Sequence, residues 1–113
     1  MSALLALAGM CGCQYIPGTN AALEREAKDA VTSKVNDPGS VIFRNVATYE
    51  KAVCGEFNAK NGFGGYGPFH RFVYETSPTK ALTIEPAGGP GASNADTIMI
   101  ELVDDLWKAD CKA

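Results

Sequence analysis

Four cysteines in two unlike settings constrain this chain more than any other feature. Cys11 and Cys13 close an apolar run, ALLALAGM over 3–10, whereas Cys54 and Cys111 stand apart in the body of the sequence. The run carries no charge over eight residues, which suits the apolar core of a secretory signal peptide and falls well short of the ~20 residues that cross a bilayer. Signal peptides begin with a basic segment, and the first basic residue here is Arg25. A Lys- or Arg-bearing stretch is therefore expected upstream of Met1.

The end of the run resembles a bacterial lipobox. Two registers fit it: Ala8-Gly9-Met10 ahead of Cys11, or Met10-Cys11-Gly12 ahead of Cys13. A small residue is wanted immediately before the lipidated cysteine, and Gly12 supplies it where Met10 does not. Cys13 is the expected lipidation site, with 1–12 as signal peptide, 13–19 as a tether and 20–113 as one domain. Gln14 follows it rather than Asp, which by resemblance to enterobacterial sorting rules implies a periplasmic protein anchored in the outer membrane. Two or more acyl chains hold a protein stably where one does so only marginally.

Lipid on Cys13 leaves Cys54 and Cys111 as the two remaining thiols in an oxidising compartment, and they are expected to form a disulfide. Counted inclusively from 54 to 111, the closed loop holds 58 residues, for which the chain-entropy model gives about 4 kcal/mol. Against a domain stability of roughly 5–10 kcal/mol, that is a large share. A reactive thiol at Cys54 needs a His or a helix N-terminus to lower its pKa, and a strand interior offers neither. A metal site built from Cys54, His70 and Cys111 lacks any CxxC or HxxxH pair, so neither metal nor cofactor is expected.

At 113 residues the chain holds one core and no more. Its net charge of -3 and pI near 5.0 exclude a dedicated nucleic-acid binder, whose phosphate contacts need a basic surface. Residues 20–36 place Leu23, Ala27, Ala30, Val31 and Val35 three and four apart between charges, the pattern of an amphipathic helix that Asp37-Pro38-Gly39 stops. Thr19 or Asn20 suits its N-cap. From Val41 the texture becomes β-branched and aromatic, and strands are expected at 41–49, 52–60, 69–75 and 80–85. Asn61-Gly62 reads as a type I′ turn inside a wider, glycine-shaped loop. Over 96–111, Ile98, Leu102 and Leu106 form one row and Met99, Val103, Trp107 and Cys111 the next, giving a core-facing helix that aims Cys111 at the sheet. Ser93 and Asp96 resemble a capping box for it, although TIMIELV is also strand-like. The expectation is an α+β domain: N-terminal helix, three- to four-stranded antiparallel sheet, C-terminal helix and one disulfide.

Two stretches are similar to a family of small exported proteobacterial proteins. The first is Asn36-Asp37-Pro38-Gly39-Ser40-Val41-Ile42-Phe43-Arg44-Asn45-Val46, which matches the family's "DPxSxxFRNV" junction. The second runs from Val53-Cys54-Gly55-Glu56 through Asn58-Ala59-Lys60-Asn61 and Phe63-Gly64-Gly65-Tyr66 to Phe69-His70-Arg71-Phe72, and looks like "VCGExNAKNxFGGYxxFxRF". Trp107 with Cys111 is similar to a terminal W-x-x-x-C. The resemblance implies export and the cysteine pair, and brings no activity with it.

Phe63-Gly64-Gly65-Tyr66-Gly67 has the composition of a recognition loop, with glycines for close approach and two ring faces; a hairpin that needs left-handed positions would use the same glycines. No helix follows it, so it is not a dinucleotide loop. Glu56, Asn58, Asn61, Phe63, Tyr66, Phe69 and Arg71 are the candidate binding residues, with Glu56 and an Arg also readable as a cross-strand ion pair. No nucleophile and base are specified within reach of one another, so no catalytic residue is assigned. The reading is a lipid-anchored, non-enzymatic protein that binds an envelope protein or a host envelope component. Its rivals are an inhibitor or exclusion factor that plugs another protein's site with the same loop, and a small envelope enzyme using Glu56 or Cys54.

Overall fold

In the computed structural model, which describes residues 19–86 and 91–112, a four-stranded antiparallel meander separates two helices. Helix α1 spans Asn20–Thr32, and a 3-10 turn at Pro38–Ser40 leads into the sheet. The strands are β1 (Ile42–Thr48), β2 (Ala52–Asn58), β3 (His70–Glu75) and β4 (Ala81–Ile84), paired in chain order, and α2 (Asn94–Asp110) closes the fold. This is the expected α+β architecture. The signal peptide, Cys11, the lipidation site Cys13 and the tether up to residue 18 lie outside the described residues.

Side chains of a strand alternate between faces, so each helix can claim one face. Val53 and Phe57 of β2, Phe72 and Tyr74 of β3, and Leu82 and Ile84 of β4 pack under Ala27 and Val31 of α1. The intervening residues Ala52, Cys54 and Val73 face the other way, toward Leu106, Trp107 and Cys111. A strand covered on both faces should read as a nearly unbroken apolar run. In β2 that run is AVCGEFN, six of whose seven residues are buried.

Helix α1 ends at Thr32, four residues short of its expected end at 36. The Thr32 hydroxyl donates to the Lys28 carbonyl and the Ser33 hydroxyl to the Ala30 carbonyl, both at 2.7 Å. Hydroxyls that compete for helix carbonyls weaken the last turn before the proline is reached. At the other end the Thr19 hydroxyl accepts from the Ala22 N–H, the expected cap.

Helix α2 begins with the expected capping box: Ser93 Oγ accepts from the Asp96 N–H and the Asp96 carboxylate accepts from the Ser93 N–H. Its orientation differs from the expectation. Val103 and Cys111 are buried and Leu106 and Trp107 half-buried, but Ile98 and Leu102 point to solvent at 64% and 43% exposure. The Cys54–Cys111 disulfide, with Cα atoms 5.9 Å apart, pins the Val103–Trp107–Cys111 row against the sheet. On a helix this rotates the Ile98–Leu102 row outward, and α2 keeps an apolar stripe that the sheet does not cover.

Strand β1 carries a bulge that the sequence did not announce. Arg44 faces Glu56 and Ala47 faces Cys54, so β1 spends one more residue than β2 over the same stretch. Asn45 takes it up with φ of 55°, a left-handed value that Asn tolerates better than most residues. The bulge folds Val46 over Gly55, where a Cβ would lie 2.8 Å from Val46 Cγ2 and 3.0 Å from Val46 Cα. Gly55 is therefore required by close approach, not by its backbone angles.

At the α1 face, Tyr74 donates its hydroxyl to the Glu26 carboxylate, which also accepts from Lys80 Nζ at 2.9 Å. The Lys80 bond and then the Tyr74 bond hold Glu26 below the usual carboxylate range. Burial, and then the same carboxylate, push the Tyr74 phenol up to about 12. In the unfolded chain a Tyr loses its proton near pH 10, so between pH 10 and 12 the unfolded state binds fewer protons and stability falls as pH rises. Melting curves at stepped pH should show this alkaline loss to be steeper in the wild type than in Tyr74→Phe, which has no phenol to titrate.

Candidate functional site

The structure divides the seven candidate residues into two groups. Glu56, Phe69 and Arg71 belong to a charged row on the α2 face of the sheet. Asn61, Phe63 and Tyr66 belong to the loop that joins β2 to β3, and Asn58, the last residue of β2, braces it.

The row crosses β1, β2 and β3 with alternating sign and ends just past β4. Arg44 faces Glu56, Glu56 faces Arg71, and Arg71 meets Glu85 just beyond β4. Arg44 Nε donates to Glu56 at 2.9 Å, and Asn45 Nδ2 donates to the same oxygen at 3.0 Å. Those bonds, Arg44's first, hold Glu56 below the usual carboxylate range. Arg71 donates to Glu85 through Nε at 3.0 Å and to Asp104 of α2 at 2.6 Å, bonds that raise its already high pKa further against the opposing effect of burial. The Arg44 guanidinium lies 3.8 Å from the centre of the Phe69 ring. An acid or base for catalysis at neutral pH needs a pKa near 7, and Glu56 is displaced the other way. Cys54, 2% exposed and bonded to Cys111, has no free thiol to offer. The expected cross-strand ion pair is present, with Arg44 as the partner.

The loop is held at many points. Asn58 is buried and its amide donates to the Gly67 carbonyl at 2.6 Å while its oxygen accepts from the Ala59 N–H. Asn61 Oδ1 accepts from the N–H groups of Phe63 and Gly65, and its own N–H donates to the Gly65 carbonyl at 2.8 Å. Lys60 and Tyr66 form a bridge across the base of the tip. This is not the type I′ turn expected at Asn61-Gly62. The left-handed position is Gly64, with φ of 82°; its N–H donates to the Asn61 carbonyl at 3.0 Å and closes the turn, and the Asn61 side chain reinforces that turn from within. Gly62, Gly65 and Gly67 have open space around them and no positive φ.

Ser40 docks the loop onto the rest of the fold. Its hydroxyl accepts from the Lys60 N–H at 2.8 Å, and its carbonyl accepts from the Tyr66 hydroxyl at 2.6 Å. With the Arg44–Phe69 contact and the Arg44 and Asn45 bonds to Glu56, the two stretches that carry the family resemblance meet in space. Sequence reasoning placed neither Ser40 nor Asn45 in the site; the only signal was that both fall inside the first motif. The outcome is a fixed hairpin tip with Phe63 99% exposed upon it.

Beside the loop opens a groove of about 430 Å³. Val35, Phe57, Pro68, Ile84 and Pro86 give it apolar walls. Lys34, Asn36, Lys60 and His70 line it as well. The His70 ring is tethered through Nδ1 to the Glu85 carbonyl at 3.0 Å and lies against Phe57. His70 is on the α1 face and Cys54 on the other, so these two and Cys111 do not converge on a metal. Among the described residues no group of three or more His, Cys, Asp or Glu side chains is placed to hold a metal ion.

No family model, no curated protein and no solved structure matches this chain.

Proposed function

We propose that this is a small envelope lipoprotein, anchored in the outer membrane through Cys13, that acts without catalysis by binding an envelope protein through the tip of its 59–68 loop. The observation that carries the reading is Phe63: a fully exposed aromatic ring on a loop whose backbone is fixed by Asn58, Asn61, Tyr66 and Ser40. An exposed Phe contributes nothing to the core, and ordering a flexible loop on binding costs affinity that a fixed one retains. Buried aromatic anchors dominate most interfaces. The resemblance to exported proteins and the cysteine pair support the compartment. The charged row supports a structural role for Glu56, Phe69 and Arg71 and concentrates recognition on the loop.

The test separates fold from recognition. Phe63→Ala should leave the melting temperature and far-UV spectrum unchanged and abolish partner capture by cross-linking in intact cells. Tyr66→Phe, which deletes only the hydroxyl bond to Ser40, should weaken capture without abolishing it. Undiminished capture by folded Phe63→Ala would move recognition away from the tip.

A further inference from the structure

We infer that the groove beside the loop binds a carboxylate that adjoins an apolar side chain, as at the C-terminus of a peptide ending in Leu or Phe. Lys34 and Lys60 line it with no acidic partner within ion-pair distance among the described residues. The one carboxylate in its wall, Glu85, is already committed to Arg71. The groove therefore carries two uncompensated ammonium groups over apolar walls of Val35, Phe57 and Ile84. Its volume falls in the range of about 300–1,000 Å³ typical of ligand pockets, which combine such walls with a few polar groups that set orientation. Among the described residues no hydrogen bond engages the exposed Asn36 amide, which leaves it open to the amide groups that a peptide has and a plain acyl chain lacks. Lys60 and Pro68 come from the same loop, but Phe63 at its tip is not part of the lining, so the two readings are separable by substitution.

Binding of N-acetyl-Ala-Leu to the intact protein, followed by calorimetry and by backbone amide shifts, tests it against two controls: the same peptide as its C-terminal amide, and octanoate. The free acid should bind at least tenfold more tightly than the amide and shift Val35, Lys60 and Ile84. Lys34→Gln with Lys60→Gln should erase that ratio, and because both lysines are exposed and unpaired the melting temperature should hold. Phe63→Ala should leave the ratio intact. Equal binding of acid and amide, or a ratio that survives in the double variant, overturns the inference. Octanoate binding more tightly than the peptide acid overturns the peptide assignment in favour of a lipid acid.

Discussion

Replacing Cys54 or Cys111 by Ala should lower the stability of the domain by about 2–5 kcal/mol, and replacing both should cost no more than replacing either. The bridge joins the central strand β2 to the end of α2 across a sequence separation of 57. It also fixes which row of α2 meets the sheet, since Val103, Trp107 and Cys111 lie on one face. Without it, α2 is held by Val103, by partly buried Leu106 and Trp107, and by the Arg71–Asp104 pair, whose Asp104 side chain is 45% exposed. A pair that exposed adds little. Urea titrations of the three variants are the check. Strict additivity of the single losses would exclude the pairing, because a shared bond can be lost only once.

Among the described glycines Gly55→Ala should be the most damaging, lowering stability by about 1–3 kcal/mol. Its Cβ would meet Val46 Cγ2 at 2.8 Å, Val46 Cα at 3.0 Å and Phe72 Cε2 at 3.1 Å. Neither neighbour can easily withdraw: Phe72 is fully buried and the Val46 backbone is set by the bulge. Val46→Ala removes the nearest atom and leaves the backbone contact, so the double variant should recover part of the loss and not all of it. Gly65→Ala, which adds a methyl group into open space, should by comparison cost little. Thermal melts of the four proteins check the ordering.

Much of this architecture was legible because local chemistry and fold agree. The strand limits follow Pro, Gly and Asn punctuation to within two residues, the Ser93–Asp96 box starts α2, and with Cys11 and Cys13 set aside as part of the N-terminal apolar run only Cys54 and Cys111 are left to pair. What was not legible depends on contacts distant in sequence. The end of α1 was read from Pro38, while two hydroxyls stop it earlier. The apolar arc of α2 is wider than the sheet can cover, and which part is buried is set by the disulfide together with the Val103, Leu106 and Trp107 contacts and the Arg71–Asp104 pair. The bulge at Asn45, and with it the need for Gly55, comes from a mismatch between two strands that neither strand reveals alone. The candidate site was half legible for the same reason: Phe63 is conspicuous, whereas the commitment of Glu56 and Arg71 to neighbours appears only when four strands align. The groove joins the end of α1 to the ends of β2 and β4, segments some 25 residues apart and more.

The central claim is that the loop tip is a fixed recognition surface, and a photo-cross-linking phenylalanine analogue at position 63, activated in intact cells, tests it most directly. The same probe at position 51, in the β1–β2 turn at the opposite end of the sheet, is the reference. The account predicts one discrete protein adduct from position 63 and none from position 51. An adduct from position 51 with none from position 63, in proteins that melt like the wild type, would contradict it.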